Sequence, residues 1–288
     1  MALQIENLER GQKNSGSPQK SRQLQVINES ISQEPAHSLY MEDIRPGSAS
    51  SNDPLDISES LVPAREIKQA GQSHVSFDGL LQRPLLLKED LKEGCGGQLW
   101  PAGMVLAKYM LRQHGSSLAD KTIVELGAGG GLVGLAVASG CEVGSSPIYI
   151  TDQVPMLPLM KANIALNNLA AKVKAAVLDW GTTLSDEIPR RPDVILAADC
   201  VYFEPAFPLL ISTLHDLLGP DSICYFCFKK RRRADLRFLK LAKKAFQVTE
   251  INDDPDAETY KRENINLYTI QLKPGAWRQS TKDGQGIA

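Results

Sequence analysis

Short apolar runs alternate with longer amphipathic segments from residue 121 to residue 228. Five runs have the length and apolar content of buried strands: residues 121–126, 147–152, 174–180, 193–199 and 222–228. The connections between them are long enough for crossovers, and helical spacing occurs at residues 132–139, 156–167 and 206–218. This alternation predicts a parallel sheet with helices on both faces.

The flanks of this region add further elements. A helix is predicted at residues 101–114, where proline occupies the favoured first turn, and a hairpin at residues 74–91, where two apolar runs flank a turn. Strands at residues 246–251 and 264–272 are separated by a polar loop, residues 252–264, in which we expect no helix. We therefore predict an α/β fold with a seven-stranded, mostly parallel sheet, a terminal antiparallel strand and a short N-terminal hairpin extension.

The two ends of the chain differ in composition from the rest. Residues 1–70 are rich in Ser, Gln, Glu, Asn and Pro, and Tyr40 is their one aromatic residue. Such a segment buries too little apolar surface to offset its ordering entropy, so we expect a disordered leader. Residues 273–288 are polar and are expected to form a flexible tail. Residues 71–272 then make up the folded domain.

A glycine-rich stretch after the first strand of this sheet matches two nucleotide-binding patterns at once. Glu125, Gly127 and Gly129 form E-x-G-x-G, an acidic strand end followed by an open turn, which suits S-adenosyl-L-methionine. Gly129, Gly131 and Gly134 form the G-x-G-x-x-G fingerprint of dinucleotide-binding proteins. The glycines alone do not choose between the two patterns.

The ends of the neighbouring strands favour the first pattern, because ligands of open parallel sheets bind beyond the carboxyl ends of the strands. Glu125 would repel a pyrophosphate in a partly desolvated crevice, whereas it suits a zwitterion that carries an ammonium and a sulfonium. Asp152 is placed to accept hydrogen bonds from ribose hydroxyls, which fits either cofactor. Asp179 is placed to accept from an adenine amine and Trp180 to stack on the ring, although Trp180 also fits as a core residue.

Composition and charge argue against several classes of function. A formal net charge of -2 creates no global field toward nucleic acid or anionic membranes, so we expect no direct DNA binding and no membrane association. The N-terminus has charges where a signal peptide needs an apolar core, and we expect a cytoplasmic protein. Cys224 and Cys227 form C-x-x-C inside an apolar run, where a buried strand is favoured over redox or metal chemistry. No metal site is predicted.

Five segments together resemble the family-16 class I S-adenosylmethionine-dependent protein methyltransferases, most of which methylate lysine. They are "GGQLWPAGMVLAKYM", "VELGAGGGLVGL", "YITD", "VLDWG" and "LAADCVYFEPAFPLL", and the resemblance runs over residues 96–218 and less clearly to residue 272. It implies a Rossmann-like methyltransferase sheet, S-adenosyl-L-methionine as cofactor and a protein substrate. Through "DCVYFEPAFPLL" and "KKRRRAD", the chain is most similar to the fungal members that act on translation elongation factor 1A.

The resemblance also implies roles for particular residues. Cofactor contacts are implied for Trp100, Gly127, Ala128, Gly129, Asp152, Trp180 and Ala198. Asp199 and Tyr202 match the D-x-x-Y pattern of the family at the mouth where the substrate enters. We expect Asp199 to accept a hydrogen bond from the target amine and Tyr202 to form a wall of the channel. The alternatives are that Asp199 caps the next helix and that Tyr202 is a packing residue.

The first hypothesis is a cytosolic, monomeric protein-lysine methyltransferase that acts on elongation factor 1A. Three alternatives stay open: a methyltransferase for a small molecule or another protein residue, a non-catalytic cofactor-binding adaptor, and a dinucleotide-dependent oxidoreductase, in which Glu125 and Trp180 would have no role. The basic run at residues 229–233 also has several interpretations. It fits a solvated loop and helix start, a nuclear-import-like patch, or a surface that docks an acidic protein substrate or a ribonucleoprotein.

Overall fold

Two sheets and six α-helices make up most of the part of the chain that the structure, a computed structural model, describes, namely residues 71–91 and 95–276. The strands are β1 (Gly71–Val75), β2 (Leu85–Glu89), β3 (Ile123–Leu126), β4 (Ile148–Asp152), β5 (Val173–Val177), β6 (Val194–Ala198), β7 (Ile223–Lys229), β8 (Gln247–Glu250) and β9 (Ile265–Gln271). The helices are α1 (Pro101–Gln113), α2 (Leu132–Gly140), α3 (Leu157–Leu166), α4 (Phe207–Leu217), α5 (Asp235–Ala245) and α6 (Ala257–Arg262).

The main sheet has seven strands in the order β5-β4-β3-β6-β7-β9-β8. The pairs β5-β4, β4-β3, β3-β6 and β6-β7 are parallel, while β9 is antiparallel to both β7 and β8. The predicted fold class is therefore confirmed, including the antiparallel strand at the end of the chain. The strand order reverses between β3 and β6, which is where an open parallel sheet leaves a crevice for a ligand.

Each face of the sheet has its own hydrophobic core, because successive side chains of a strand point to opposite faces. On β3, Ile123 packs with α1, α2 and α3, whereas Val124 packs with α4 and α5. On β6, Leu196 likewise belongs to the first core and Ile195 to the second. Helices therefore cover both faces of the sheet, as the sequence pattern predicts.

The hairpin β1-β2 is a separate two-stranded sheet that packs against α3. Its register pairs Gly71 with Glu89 and Val75 with Leu85. Two side-chain amides, one in α3 and one directly after it, bind the open backbone of β2: Asn163 Oδ1 accepts from Lys88 N at 2.8 Å and Asn167 Oδ1 accepts from Leu86 N at 2.9 Å. The predicted N-terminal hairpin is confirmed.

One expectation is wrong in the segment before β9. Helix α6 lies inside residues 252–264, where no helix was expected. Only one residue of this helix, Tyr260, is buried, so its sequence lacks the apolar periodicity that would predict a helix. Ion pairs to α1 hold the loop that begins it: Arg112 contacts Asp254 at 2.9 Å and Asp256 at 2.9 Å.

Two smaller differences concern helix α5 and strand β5. Helix α5 is not among the predicted helices, although one interpretation of the basic run at residues 229–233 was a loop that leads into the start of a helix. Strand β5 ends at Val177, so Asp179 and Trp180 lie in the turn that follows it rather than in the strand. This places both side chains beyond the carboxyl end of the sheet.

The remaining expectations divide between those that the structure tests and those that it does not. Cys224 and Cys227 are buried in β7, which confirms the buried-strand interpretation, and burial raises the pKa of both thiols. None of the helices in the described ranges is long and apolar enough to cross a membrane. The predicted disordered leader, residues 1–70, and the tail beyond residue 276 lie outside the described residues, so the predicted domain limits stay predictions.

Candidate active site

A cleft of about 320 Å³ lies at the carboxyl ends of the strands on either side of the point where strand order reverses. All eleven residues that the sequence predicts for the site line it: Trp100, Glu125, Gly127, Ala128, Gly129, Asp152, Asp179, Trp180, Ala198, Asp199 and Tyr202. They come from five separate segments of the chain. The parallel topology brings them together, because the carboxyl ends of parallel strands meet at one edge of the sheet. The role of each residue stays a prediction.

The turn after β3 is built from left-handed backbone that favours glycine, in a place with no room for a side chain. Gly127 and Gly129 have φ values of 59° and 55°, in the left-handed region. A Cβ atom on Gly129 would lie 2.3 Å from the carbonyl oxygen of Gly96, and one on Gly127 would lie 3.0 Å from Trp180 and from the sulfur of Cys200. The turn therefore presents bare backbone to the cleft.

The structure distinguishes the two glycine patterns, because their glycines face in different directions. Gly127 and Gly129 line the cleft, but Gly131 and Gly134 do not. A Cβ on Gly131 would lie 2.7 Å from Ile150, and one on Gly134 would lie 2.4 Å from the same side chain, so both glycines serve the packing of α2 on β4. The middle glycine of a dinucleotide fingerprint should instead open toward the pyrophosphate. This geometry favours the E-x-G-x-G pattern.

The carboxyl group of Glu125 joins the strand end to helix α2. Its Oε2 atom accepts a hydrogen bond from the backbone N–H of Gly134 at 2.8 Å, and the residue is 2% exposed. Burial raises the pKa of Glu125 to about 8, against the lowering effect of backbone hydrogen bonds from Gly134 and Val133. The group therefore holds a proton over much of the neutral range when no cation lies beside it.

Asp152 ends β4 and braces the glycine turn from the other side. Its Oδ2 atom accepts from the N–H of Gly129 at 2.7 Å, and its Oδ1 atom accepts from the N–H of Gln153 at 2.7 Å. The side-chain amide of Gln153 in turn donates to Asp179 at 3.1 Å. Burial raises the pKa of Asp152, and the nearby charge of Asp179 adds to the rise. Two carboxylates thus lie side by side along this wall of the cleft.

Asp199 is held in an unusual backbone conformation directly after β6. Its φ is 56°, which is costly for a residue with a Cβ, and its N–H donates to the carbonyl of Cys227 at 2.8 Å. The guanidinium of Arg231 donates to both carboxylate oxygens, at 2.9 Å and 2.8 Å, and the N–H of Lys229 donates to Oδ1 at 3.1 Å. Asp199 therefore does not cap the next helix.

Sequence reasoning missed Arg231 as a site residue. Besides pairing with Asp199, its guanidinium lies over the ring of Trp100, 4.9 Å from the ring centre, which is within cation–π range. Arg231 thereby connects the end of β6, the segment after β7 and the segment before α1 beside the cleft. The signal was the basic run itself, which was interpreted only as a surface feature.

The outer end of the cleft is apolar and open to solvent. Tyr202 and Phe203 are 55% and 57% exposed, and Leu209 on α4 is 46% exposed. Tyr202 thus stands at the mouth, where a channel wall was predicted, and it is not a core residue. Phe203 and Leu209 were not predicted as site residues, because a sequence pattern does not show which apolar side chains stay uncovered.

The cleft suits a nucleoside-bearing cofactor. Its volume falls within the range of small-molecule sites, roughly 300–1,000 Å³. It combines a bare glycine turn, an indole ring from Trp180 and the paired carboxylates of Asp152 and Asp179, which are acceptors for hydroxyl and amine donors. These residues fit S-adenosyl-L-methionine.

Fold and cleft together define a Rossmann-like methyltransferase, and comparison with known proteins gives the family. The sequence model described as lysine methyltransferase matches residues 80–245. The chain therefore belongs to the lysine methyltransferase family. It is an S-adenosyl-L-methionine-dependent protein-lysine N-methyltransferase.

Relatives of known name agree with this family. The chain is 38% identical to the protein-lysine N-methyltransferase EFM6 of Saccharomyces cerevisiae over 237 residues, which covers 74% of this chain and 96% of the yeast protein. It is 32% identical to the protein N-lysine methyltransferase METTL21A of Danio rerio, covering 70% and 91% of the two chains. It is 31% identical to the EEF1A lysine methyltransferase 3 of Mus musculus, covering 61% and 72%.

Proposed function

We propose that this methyltransferase modifies a lysine of translation elongation factor 1A and that it does so in the cytoplasm, as a monomer. The observation that carries the choice of substrate is the similarity to the mouse EEF1A lysine methyltransferase 3. The exposed mouth at Tyr202 and Phe203 agrees with this choice. A lysine on a folded protein can enter a site only if the surroundings of that site are open.

The inner cleft holds the cofactor in this proposal. Asp152 accepts from the ribose hydroxyls, Asp179 accepts from the adenine amine, and Trp180 stacks on the base. When bound, S-adenosyl-L-methionine supplies an electrophilic methyl group on its sulfonium. The backbone of the Gly127 to Gly129 turn lies open to the amino-acid part of the cofactor, and Glu125 lines the cleft behind it.

The outer cleft orients the amine of the target lysine. Ionised carboxylates offer about four acceptor positions, and three positions on Asp199 are taken by Arg231 and the N–H of Lys229. Oδ2 accepts only one of these bonds, so it has a position left for an incoming amine. Asp199 therefore aligns the nitrogen, and alignment supplies much of the rate enhancement in a direct transfer.

The amine must also lose its proton before it attacks. A free lysine has a pKa of about 10.4, and an unpaired carboxylate beside it would raise that value further. Arg231 offsets the charge of Asp199 at 2.8 Å, so the carboxylate orients the amine without strongly favouring the ammonium form. Tyr202 forms the channel wall at the mouth, where it is half exposed, so it guides the lysine side chain without desolvating the amine.

The test is methylation of purified elongation factor 1A by the purified enzyme, followed by peptide mapping with mass spectrometry. We expect one lysine to gain methyl groups, and we expect Asp199→Asn to lower kcat strongly while S-adenosylhomocysteine still binds. An unmodified factor, together with a different labelled protein in whole extract, would reject this substrate but not the enzyme class. Fluorescence microscopy of a tagged copy and light scattering of the purified enzyme test the location and the monomeric state.

A further inference from the structure

Three large apolar side chains lie uncovered together at the mouth of the cleft. We name Tyr202, Phe203 and Leu209 the aromatic rim; they are 55%, 57% and 46% exposed, and all three line the cleft. Single exposed apolar residues are common on protein surfaces, whereas adjoining ones mark contact sites. The rim surrounds the entrance through which the target lysine must pass.

A set of cations borders the rim on one side. We name it the basic ridge, and it consists of Lys229, Lys230, Arg231, Arg232, Arg233 and Arg237. The ridge touches the rim segment at two points: Arg232 donates to the carbonyl oxygen of Tyr202, and Arg237 pairs with Glu204, the residue after Phe203. Rim and ridge are therefore one continuous surface.

The ridge keeps positive charge after its internal ion pairs are counted. Three of its cations meet carboxylates: Arg231 pairs with Asp199, Arg232 with Asp235 and Arg237 with Glu204. Within the described residues, the other three form no ion pair; Lys230 and Arg233 are exposed, and Lys229 is half-buried. This excess lies beside the cleft of a protein whose formal net charge is -2.

We propose that rim and ridge together dock a segment of the protein substrate in which acidic residues and an apolar side chain flank the target lysine. The inference rests on the proposed function, protein-lysine methylation at this cleft, and adds the chemistry of the sequence that it accepts. The apolar side chain packs on Phe203 and Leu209, while the acidic residues face Lys230 and Arg233. Charge complementarity of this kind speeds association and fixes the register of a bound segment.

The composition of the surface favours a protein segment over a nucleic acid. Nucleic-acid sites track a phosphate backbone with a long series of cations, whereas three of the six ridge cations are already paired with carboxylates of the chain itself. The uncovered rim also has the character of a protein contact, in which aromatic side chains supply much of the binding energy. RNA binding is the competing outcome, and nuclease treatment distinguishes it from binding of a protein segment.

The test compares two double charge reversals on the full chain. In Lys230→Glu/Arg233→Glu the ridge loses its unpaired exposed cations. In Lys243→Glu/Lys244→Glu the same charge change falls in the last turn of α5, roughly 12 Å along the helix axis from its first residue, Asp235. The substrate is whichever protein of a nuclease-treated extract the unmodified enzyme labels, purified for steady-state kinetics. Binding of S-adenosylhomocysteine and the melting temperature report whether each variant is intact.

We expect the ridge reversal to raise KM for the protein substrate roughly tenfold, with kcat and S-adenosylhomocysteine affinity within about twofold, while the matched control changes none of them. Phe203→Ser should raise KM as well. Replacing the acidic residues nearest the methylated lysine by Lys should restore binding to the ridge reversal and weaken binding to the unmodified enzyme. Equal KM values for the two double variants would overturn the proposal.

Two other outcomes also bear on the proposal. If the ridge reversal raises KM only in extract that has not been treated with nuclease, the ridge binds RNA rather than a protein segment. If the unmodified enzyme labels no protein at all, the proposed function itself fails and the docking proposal fails with it. An active enzyme whose KM does not respond to the ridge reversal contradicts the docking proposal alone.

Discussion

Arg231 grips Asp199 with two parallel hydrogen bonds, of 2.9 Å and 2.8 Å, at the point where β6 opens into the cleft. Such a bidentate pair fixes both the position and the charge of the carboxylate. The side chain of Asp199 is 6% exposed and that of Arg231 is 34% exposed, so the pair is only partly screened by water. The acid expected to orient the substrate amine is therefore never a lone charge.

The first prediction concerns the pH dependence of methyl transfer. In Arg231→Ala, Asp199 is left as an uncompensated carboxylate, which favours the ammonium form of the target lysine. We expect the ascending limb of the pH profile of kcat, which reports the bound amine, to move upward by about one pH unit, with a lower maximal kcat. Arg231→Lys keeps the charge, so its ascending limb should stay near that of the unmodified enzyme. Arg190→Ala, which removes an exposed pair with Asp186, is the control. An unmoved profile in Arg231→Ala would contradict this role.

The second prediction concerns stability as a function of pH. The pKa of Glu125 is raised from 4.5 to about 8 in the folded protein, so between these values the folded state binds more protons than the unfolded state. Unfolding free energy therefore decreases as pH rises through this window. Glu125→Gln removes this dependence while its side-chain oxygen still accepts from Gly134. Denaturant titrations without cofactor should show the variant gaining stability relative to the unmodified protein from pH 5 to pH 8.5. A constant difference between the two proteins over this range would show that Glu125 is ionised throughout.

The third prediction concerns Asn163, which is fully buried and ties three segments together. Its amide nitrogen donates to the carbonyl oxygens of Lys88 and Gly130, at 3.2 Å and 2.9 Å, and its oxygen accepts from the N–H of Lys88. Asn163→Ala leaves these groups without partners, and we expect a loss of roughly 2–4 kcal/mol in unfolding free energy. Asn266→Ala removes an exposed hydrogen bond to Asn264 and should cost less than about 0.5 kcal/mol. Similar losses in the two variants would contradict the assignment.

The fourth prediction separates backbone strain from crowding in the glycine turn. Gly129 and Gly79 both have φ in the left-handed region, at 55° and 84°. A Cβ on Gly129 meets the carbonyl of Gly96 at 2.3 Å, whereas one on Gly79 meets nothing within 4 Å. Gly79→Ala should therefore cost about 1 kcal/mol and leave S-adenosylhomocysteine binding unchanged. Gly129→Ala should weaken that binding by more than about tenfold, because the turn must shift. Calorimetric titration measures the S-adenosylhomocysteine affinity of both variants, and equal affinities would refute the crowding argument.

The sheet and most of the cleft were predictable from the sequence, because strand ends of a parallel sheet necessarily meet. Glu125 and Asp152 are 27 residues apart along the chain and Asp152 and Asp199 are 47 apart, yet each follows or ends an apolar run and so falls at the same edge. The E-x-G-x-G pattern could be favoured over the dinucleotide fingerprint because Glu125 would repel a pyrophosphate and because Trp180 has no role beside a dinucleotide.

The parts that could not be predicted depend on contacts between distant segments. Helix α6 has almost no apolar face, and Arg112 on α1 contacts the aspartates that precede it. The pairing of Arg231 with Asp199 joins two loops that are 32 residues apart, and no local pattern indicates which arginine of the run turns inward. The exposure of Phe203 and Leu209 likewise follows from what the fold leaves uncovered.

The most direct test of the account is transfer of labelled methyl groups to protein. Purified enzyme is incubated with methyl-tritiated S-adenosyl-L-methionine and extract from cells that lack it, with Asp152→Ala as control, and the products are separated on a gel. The account predicts one labelled protein of the size of elongation factor 1A, absent with the variant. No labelled protein, although S-adenosylhomocysteine binds tightly, would contradict protein-lysine methylation at this cleft.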